Sequence, residues 1–241
     1  MVDARIDGGI ARIFLNRPEK VNALDSALLH DLLAALTRVA EFPEVRAVVL
    51  GGHGKAFCGG ADVNELSSLT ETTAGAFVGR IHSVCNAIRR LPVPVVARLH
   101  GAVIGAGLEI AAACDLRIAA EGTRFSMPEV RLGIPSVVEA ALLPRLIGRG
   151  RAAWLVLTGE PISERRACEW GLIEAIGGDA ELEGLLGKLL AANREALRMQ
   201  KELLQLWEDA PLADSIAKSV EYFAHAFANG ASKELNGRLR R

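Results

Sequence analysis

Two short, almost unbroken apolar runs constrain the fold of this chain more than any other feature. The segments VRAVVLGG (45–52) and VPVVARL (93–99) have the length and composition of parallel strands covered on both faces. Before the first run, after Asp25, a good helix N-cap, apolar residues recur at helical spacing, and the sequence predicts a further helix over roughly 68–90, between the two runs. Because strand and helix signals alternate in this way, the sequence predicts an α/β fold.

The two ends of the chain differ from this alternating middle. A turn at Gly8-Gly9 within ARIDGGIARIFLN predicts a β-hairpin at the start. After about residue 137, strand signals nearly vanish apart from LIEAI (172–176), and helical segments follow one another. We therefore expect a C-terminal helical region attached to the α/β part.

Composition excludes several classes of partner. The chain has 241 residues, of which 50% are hydrophobic, so it can bury a full core. Its 28 Lys and Arg residues nearly balance 29 Asp and Glu residues, giving a formal charge of −1. No overall field therefore attracts nucleic acid or an anionic membrane, and we expect neither as a partner.

Cysteine usage and the N-terminal residues predict a cytoplasmic protein. The four cysteines never form a C-x-x-C pair, and two lie inside apolar runs, as buried thiols do in a reducing compartment: Cys58, Cys85, Cys114 and Cys168. Asp3, Arg5 and Asp7 occupy the positions where a signal peptide needs an apolar stretch. Charged residues interrupt every long apolar run, which argues against a transmembrane helix.

The loop HGKAFCGGADVNE (53–65) is the first unusual stretch. Its Gly59-Gly60 pair allows backbone angles that other residues resist, and Asp62 with Glu65 has the spacing of a capping box. The simplest interpretation is a strand-to-helix turn. A phosphate-binding loop is excluded because Ala56 stands where such a loop needs Ser or Thr.

The loop HGAVIGAGLE (100–109) enters a helix through Gly105-Ala106-Gly107. A dinucleotide-binding fingerprint fails because Ile110 occupies its third glycine position. What remains is a helix N-terminus with outward-facing N–H groups, followed by Glu109 in an otherwise apolar run. This glutamate is either a core carboxylate paired with an arginine, such as Arg98 or Arg117, or a functional acid.

A second candidate carboxylate follows in FSMPEVRLGIP (125–135). Ser126 and Glu129 have S-x-x-E spacing with Pro128 between them, so Glu129 taken alone predicts a helix cap. Taken with Glu109 and the two glycine-rich loops, it completes the groups needed for acid–base chemistry at a polarised carbonyl.

Four motifs, in this order and spacing, resemble the enoyl-CoA hydratase/isomerase (crotonase) superfamily: NRPEKVNALD (16–25), GKAFCGGADVNEL (54–66), GAVIGAGLEIAAACDLRIAA (101–120) and FSMPEVRLGIP (125–135). The resemblance implies a crotonase-like spiral of ββα units over residues 1–178, which holds the acyl-CoA site. A C-terminal helical trimerisation region would then occupy residues 179–241. This fold hosts several reactions of thioester enolates, so the fold alone does not choose among them.

The resemblance also implies roles for individual residues. The N–H groups of Ala61 and Ala106 would form an oxyanion hole for the thioester oxygen. Glu109 would activate the water that attacks Cβ, and Glu129 would exchange a proton with Cα. The remaining positions implied to contact the substrate or its CoA portion are Lys20, Ala23, Gly60, Asp62, Val63, Gly105 and Gly107.

Two glutamates favour one reaction within the family. Hydratases of the family carry both, whereas many isomerases keep only the later one, so we expect syn addition of water to a 2-trans-enoyl-CoA, giving a 3-hydroxyacyl-CoA. An enoyl-CoA isomerase or a thioester hydrolase of the same fold is the alternative. A non-catalytic scaffold or RNA-binding relative is a further one, although no basic stripe with interleaved aromatics supports it.

The resemblance implies no cofactor beyond the coenzyme A of the substrate. We also expect no metal, because the sequence contains no HExxH motif. The resemblance also implies self-association into trimers that pair into hexamers. The stripe Leu197, Leu204 and Trp207 suits such packing, although an intrachain core would have the same pattern.

One segment departs from the family. Many hydratases have a Gly-Ala-Gly-Gly run after GIP, whereas this chain has Ser136-Val137-Val138-Glu139. The branched residues should narrow the acyl pocket. Glu139 is either a solvated charge at a helix start or a third carboxylate that faces the pocket, where it would do acid–base work or select a polar acyl chain.

Overall fold

The computed structural model describes residues 1–228 and 231, so the last part of the predicted 179–241 helical region lies outside the described residues. Nine strands occur in the described residues: β1 (Val2–Asp7), β2 (Ile10–Leu15), β3 (Ala47–Gly52), β4 (Val95–Leu99), β5 (Ala102–Ile104), β6 (Leu116–Ala119), β7 (Arg124–Ser126), β8 (Ile162–Ser163) and β9 (Ala175–Ile176). Six of them form one sheet in the order β1-β2-β3-β4-β6-β9, and β5-β7-β8 form a second.

Ten α-helices accompany these strands in the described part of the chain: α1 (Ser26–Ala40), α2 (Val63–Ser68), α3 (Glu71–Arg90), α4 (Ala106–Ala113), α5 (Leu143–Ile147), α6 (Arg149–Thr158), α7 (Glu164–Trp170), α8 (Asp179–Ala191), α9 (Arg194–Asp209) and α10 (Leu212–Ala228). Short 3₁₀ helices span Pro18–Lys20, Glu129–Leu132 and Val138–Leu142. The predicted α/β alternation followed by a helical region is confirmed. None of the described helices is long and apolar enough to cross a membrane.

Local signals set the boundaries of the early elements. Gly8 and Gly9 have φ of 56° and 79°, and the antiparallel hairpin of β1 and β2 closes on the pair Asp7 and Ile10. The Asp25 side chain accepts a hydrogen bond from the Leu28 N–H at 2.8 Å, as predicted for the N-cap of α1. These predictions from turn and capping residues are confirmed.

Burial on both faces explains the apolar runs of the main sheet. From β2 to β9 the neighbouring strands are parallel, and every residue of β3 is buried. Val48 and Leu50 pack into the large core with α1 and α3, whereas Val49 packs on the other face against Leu186 of α8. A strand covered from both sides has no position for a polar side chain.

The connections after β3 and β4 run side by side, and this positions the site. The Cys58 N–H donates to the Ala102 carbonyl, and the Ile104 N–H donates to the Cys58 carbonyl, each at 3.0 Å. Gly107 lets α4 approach this point, because an added Cβ would lie 2.7 Å from Cys58 Cβ. The two glycine-rich loops therefore meet at the start of α4.

The C-terminal helices attach to the core through polar contacts and leave apolar side chains outside. Lys201 of α9 is buried, with Nζ 2.7 Å from Asp115 Oδ2 and close to the carbonyls of Ile88 and Val93. Leu204 and Trp207 of the predicted stripe are about half exposed. The stripe therefore does not belong to an intrachain core. Further large apolar side chains of α10 are exposed beside it: Leu212, Ile216, Val220 and Phe223.

Candidate active site

A cavity of about 130 Å³ lies where the two glycine-rich loops meet. Ala61 and Ala106 line it together with both predicted acids, Glu109 and Glu129. Its remaining walls are mostly apolar and come from α3 and from the segment after Glu129: Phe77, Val78, Ile81, Leu132, Ile134, Pro135 and Val137. The structure thus brings four residues that are far apart in sequence into one pocket.

The two backbone amides predicted to bind an oxyanion have no hydrogen-bond acceptor within the described residues. The neighbours of Ala61 are fixed, since the Leu24 N–H donates to the Gly60 carbonyl and the Asp62 N–H donates to the Leu24 carbonyl. Gly105 has a φ of 51° and Gly60 a φ of 93°, values that glycine adopts without strain. Both amides are therefore held in place and free to donate.

Glu109 is only 3% exposed, and no arginine among the described residues pairs with it. Arg98 binds Asp179 and Arg117 binds Glu174, so the arginine-paired interpretation is wrong. Burial is the main reason that the pKa of Glu109 rises to about 8, and the negative charges of nearby Glu129 and Glu139 add to the rise. Hydrogen bonds from the backbone at Ala140 and Val137 oppose it.

Glu129 does not form the cap that its spacing with Ser126 predicted. The 3₁₀ helix that Glu129 begins has no side-chain cap, so that interpretation is wrong. One carboxylate oxygen instead accepts a hydrogen bond from Ser136 Oγ at 2.9 Å. The other lies so close to Gly105 that an added Cβ there would collide with it. Glu129 is thus fixed beside the residue that precedes the Ala106 amide.

The segment predicted to bind the CoA nucleotide is organised by Arg17. This arginine donates to the Ala23 carbonyl at 2.9 Å and to Asp62 Oδ2 at 2.6 Å. Asp62 also caps α2 by accepting from the Asn64 N–H at 2.8 Å. Burial alone would raise the pKa of Asp62, but the Arg17 and Asn64 hydrogen bonds hold it below its ordinary value. Lys20 is exposed nearby.

The predicted capping box at α2 is only half present. Glu65 does not bind back to Asp62, because its carboxylate accepts hydrogen bonds from the backbone N–H and the hydroxyl of Ser26. This contact ties α2 to the start of α1.

The other predicted contact residues take different positions. Gly60, Gly105 and Val63 line the cavity, and Val63 is 67% exposed. Gly107 does not line it, because it faces Cys58 within the core. Glu139 does not line it either, and at 8% exposure it is no solvated charge. Both interpretations of Glu139 offered by the sequence are therefore wrong.

Sequence reasoning missed Arg17, Asn22 and the apolar wall from α3. The buried Asn22 side chain donates to the carbonyls of residues 53, 56 and 57, and its φ of 54° is one that Asn tolerates. Its signal was a polar residue within a turn. Phe77 and Ile81 follow helical spacing, which predicts burial but does not say that they face a cavity.

Comparison with known proteins identifies the family of the chain. The model of the enoyl-CoA hydratase/isomerase family matches residues 5–239. Crotonyl-CoA hydratase from Syntrophomonas wolfei is 31% identical, covering 93% of this chain and 89% of that protein. Short-chain-enoyl-CoA hydratase from Clostridium acetobutylicum is 30% identical, covering 95% and 90%.

The fold comparison is closer still. The crystal structure of an enoyl-CoA hydratase from Mycobacterium smegmatis superposes with a TM-score of 0.95 at 32% identity, covering 99% of this chain and 96% of that one. The backbone fold is shared at this level over nearly the whole chain. The chain belongs to the enoyl-CoA hydratase/isomerase family, and its predicted crotonase-like fold is confirmed.

Proposed function

We propose that this protein is an enoyl-CoA hydratase that adds water reversibly, with syn geometry, to the double bond of a short 2-trans-enoyl-CoA, giving a 3-hydroxyacyl-CoA. The observation that carries the proposal is the pairing of Glu109 and Glu129 on one small cavity that two unpaired backbone amides also border. The similarity to hydratases that act on crotonyl and short-chain enoyl thioesters supports the same reaction.

The amides of Ala61 and Ala106 would stabilise the enolate. Attack of water at Cβ moves negative charge to the thioester oxygen, and donors that are already oriented bind this charge without reorganisation. Removing one such donor typically costs about 2.7–4 kcal/mol of transition-state stabilisation. The alanine side chains take no part, since the donors belong to the main chain.

The proton count of the two acids suits a reversible hydration. Glu109 holds a proton at neutral pH, because its pKa is about 8. In dehydration, Glu129 accepts the Cα proton while Glu109 donates its proton to the departing hydroxyl. Hydration reverses both transfers: Glu109 accepts a proton from the attacking water and Glu129 returns one to Cα. At the end of each reaction direction, the two acids therefore have the protonation states that the reverse direction needs at its start.

The cavity volume supports a short acyl chain. About 130 Å³ corresponds to roughly four molecules of liquid water, well below the ~300 Å³ at the lower end of ordinary ligand pockets. Val137 contributes to its wall at the position where many hydratases have a small residue. A four-carbon crotonyl group matches this space better than a long fatty acyl chain.

The remaining properties are part of the same proposal. Lys20, Ala23 and Asp62 would contact the CoA nucleotide, and the reaction would need no cofactor besides the CoA of the substrate. The exposed apolar side chains of α9 and α10 form a patch that would be covered in a trimer or hexamer. Four unpaired cysteines are consistent with a cytoplasmic location.

The test is to incubate the purified protein with crotonyl-CoA. Hydration removes the conjugated double bond, so the ultraviolet absorbance of the thioester falls and 3-hydroxybutyryl-CoA appears by mass spectrometry. We expect Glu109→Gln and Glu129→Gln each to lose on the order of 10²–10⁴-fold in kcat. Glu41→Gln, which removes an exposed carboxylate at the end of α1, is the matched control and should keep the wild-type rate.

Two further substrates separate the alternatives. A 3-enoyl-CoA that gains conjugation would identify an isomerase, and release of free CoA thiol would identify a hydrolase. Turnover of crotonyl-CoA that persists at near-normal rates in both glutamine variants would refute the assignment of the acids.

A further inference from the structure

The segment Ser136–Ala140 contacts both acids of the site. The hydroxyl of Ser136 donates to Glu129. The backbone at Val137 and Ala140 lies close enough to the Glu109 carboxyl to lower its pKa, and the Val137 side chain forms part of the cavity wall. Any displacement of this segment would therefore move partners of both carboxyl groups at once.

Glu139 ties this segment to α3. Its side chain points away from the cavity and is buried, with Oε1 2.8 Å from Nδ1 of His82. Its other oxygen, Oε2, is buried and has no hydrogen-bond partner. A buried carboxylate that is only half satisfied costs stability, so a purely structural role explains its presence poorly.

The backbone of the same segment is strained. Val138 has a φ of 39°, although its β-branched side chain strongly disfavours the left-handed region. Such a residue keeps this conformation only where surrounding contacts enforce it, and strain of this kind clusters at functional sites. Glu139 is the next residue after Val138, and its hydrogen bond with His82 supplies one such contact.

We propose that Glu139, held by His82, is a positioning residue for Glu109: the pair fixes the strained segment that lies beside the Glu109 carboxyl, and it places a second buried carboxyl group near it. The inference rests on the proposed hydratase function and extends it to two residues outside the cavity. Glu139 would act through Glu109 and would not touch the substrate.

The titratable groups around this pair are few. On α3, His82 and the buried thiol of Cys85 face Glu139. From α4 comes Glu109, which also faces Glu129. Arg145 of α5 is directed elsewhere, to Asp209 and the Glu208 carbonyl. Apart from His82, no basic side chain thus contacts Glu139 in the part of the chain that the structure describes.

The first test measures the pH profile of kcat in Glu139→Gln for dehydration of 3-hydroxybutyryl-CoA, the direction in which Glu109 must hold a proton. Glutamine keeps an oxygen that can accept from His82 but removes the charge. Because a neighbouring negative charge favours the protonated form of Glu109, the upper limb of the profile should move to lower pH, by on the order of 1 pH unit. Glu41→Gln, the exposed control, should leave the profile in place. A Glu139→Gln profile that superimposes on the wild type would overturn the proposal.

The second test uses two variants of His82 and needs no change at Glu139. In His82→Ala, Glu139 loses the hydrogen bond at its Oε1 and the segment loses one of its ties to α3. We expect kcat to fall roughly 10-fold with little change in KM, because positioning matters most in the transition state. Asn can place an amide donor where Nδ1 stands, so His82→Asn should recover most of the rate. Equal losses in both variants would contradict the positioning role.

A substrate-free measurement separates this inference from the proposed function. The titration of Glu109 can be followed by ¹³C NMR of carboxyl-labelled glutamate, with Glu109→Gln assigning the signal. A lower Glu109 pKa in Glu139→Gln would support the inference even if the wild type failed to hydrate crotonyl-CoA. An unchanged pKa in a hydrating enzyme would refute the inference alone.

Discussion

Replacing Glu109 by Gln should change how the stability of the protein depends on pH. Its pKa is about 8 in the folded chain, against an ordinary value of 4.5. Between these values the folded state holds a proton that the unfolded state has released, so the free energy of unfolding falls as pH rises. Below the lower value both states are protonated, and Glu109 adds no pH dependence.

The size of the effect follows from the same two values. They differ by 3.5 pH units, and about 1.36 kcal/mol per pH unit gives about 5 kcal/mol. Glutamine resembles the protonated acid and does not titrate. Wild type and variant should therefore be similarly stable near about pH 5, and the variant should be more stable by a few kcal/mol near about pH 9. A catalytic group kept in an apolar setting thus costs stability under alkaline conditions.

Urea unfolding over this pH range measures the difference, at one fixed protomer concentration because self-association would add to apparent stability. The exposed-site variant Glu41→Gln controls for loss of a negative charge in general. Parallel pH dependence in wild type and Glu109→Gln would refute the reasoning, since it would mean that Glu109 titrates alike in the folded and unfolded states.

Four other substitutions test separate parts of the structure, and one of them, in α3, is the control for a glycine substitution in the site. Gly105→Ala should abolish most hydration, because the added Cβ would collide with Glu129 and because alanine disfavours the φ of 51° found there. Gly79→Ala on α3 is the control: its added Cβ meets no other atom, and the protein should be more stable by about 0.5–1 kcal/mol in thermal unfolding. Val137→Ala should raise kcat/KM for hexenoyl-CoA relative to crotonyl-CoA by about 10-fold or more. Lys201→Met should cost about 3–5 kcal/mol in urea unfolding by leaving Asp115 and two carbonyls without their cation.

The sequence predicts those parts of the fold whose causes are local. Asp25 caps its helix through a residue three positions away, and the glycine turn between β1 and β2 needs only its own backbone angles. The predicted helix over 68–90 begins only at Glu71, because Thr70 starts a new capping interaction after α2 has ended at Ser68. Such boundary errors arise where two helices adjoin.

Contacts between distant residues account for the predictions that were wrong. Glu129 and Ser126 fit a capping box by spacing alone, but Ser136 competes for the carboxylate, and spacing holds no information about that competitor. The arginines offered as partners of Glu109 were plausible by proximity in sequence. Each binds an acid more than 50 residues away along the chain.

Glu139 illustrates why the departure from the family pattern could be seen in the sequence but not interpreted there. A charged residue after Val138 suggested either exposure to solvent or a position facing the pocket. The sequence alone does not show which other elements pack against a short helix, so it indicated no third position. The third possibility, a buried bond to His82, needs α3 to pass beside the segment, 57 residues earlier in the chain. If the segment holds Glu109 as proposed, substitutions in α3 that leave every cavity-lining residue unchanged should still alter the pH profile. This would place part of the chemistry of the site on a residue of α3 that does not line the cavity.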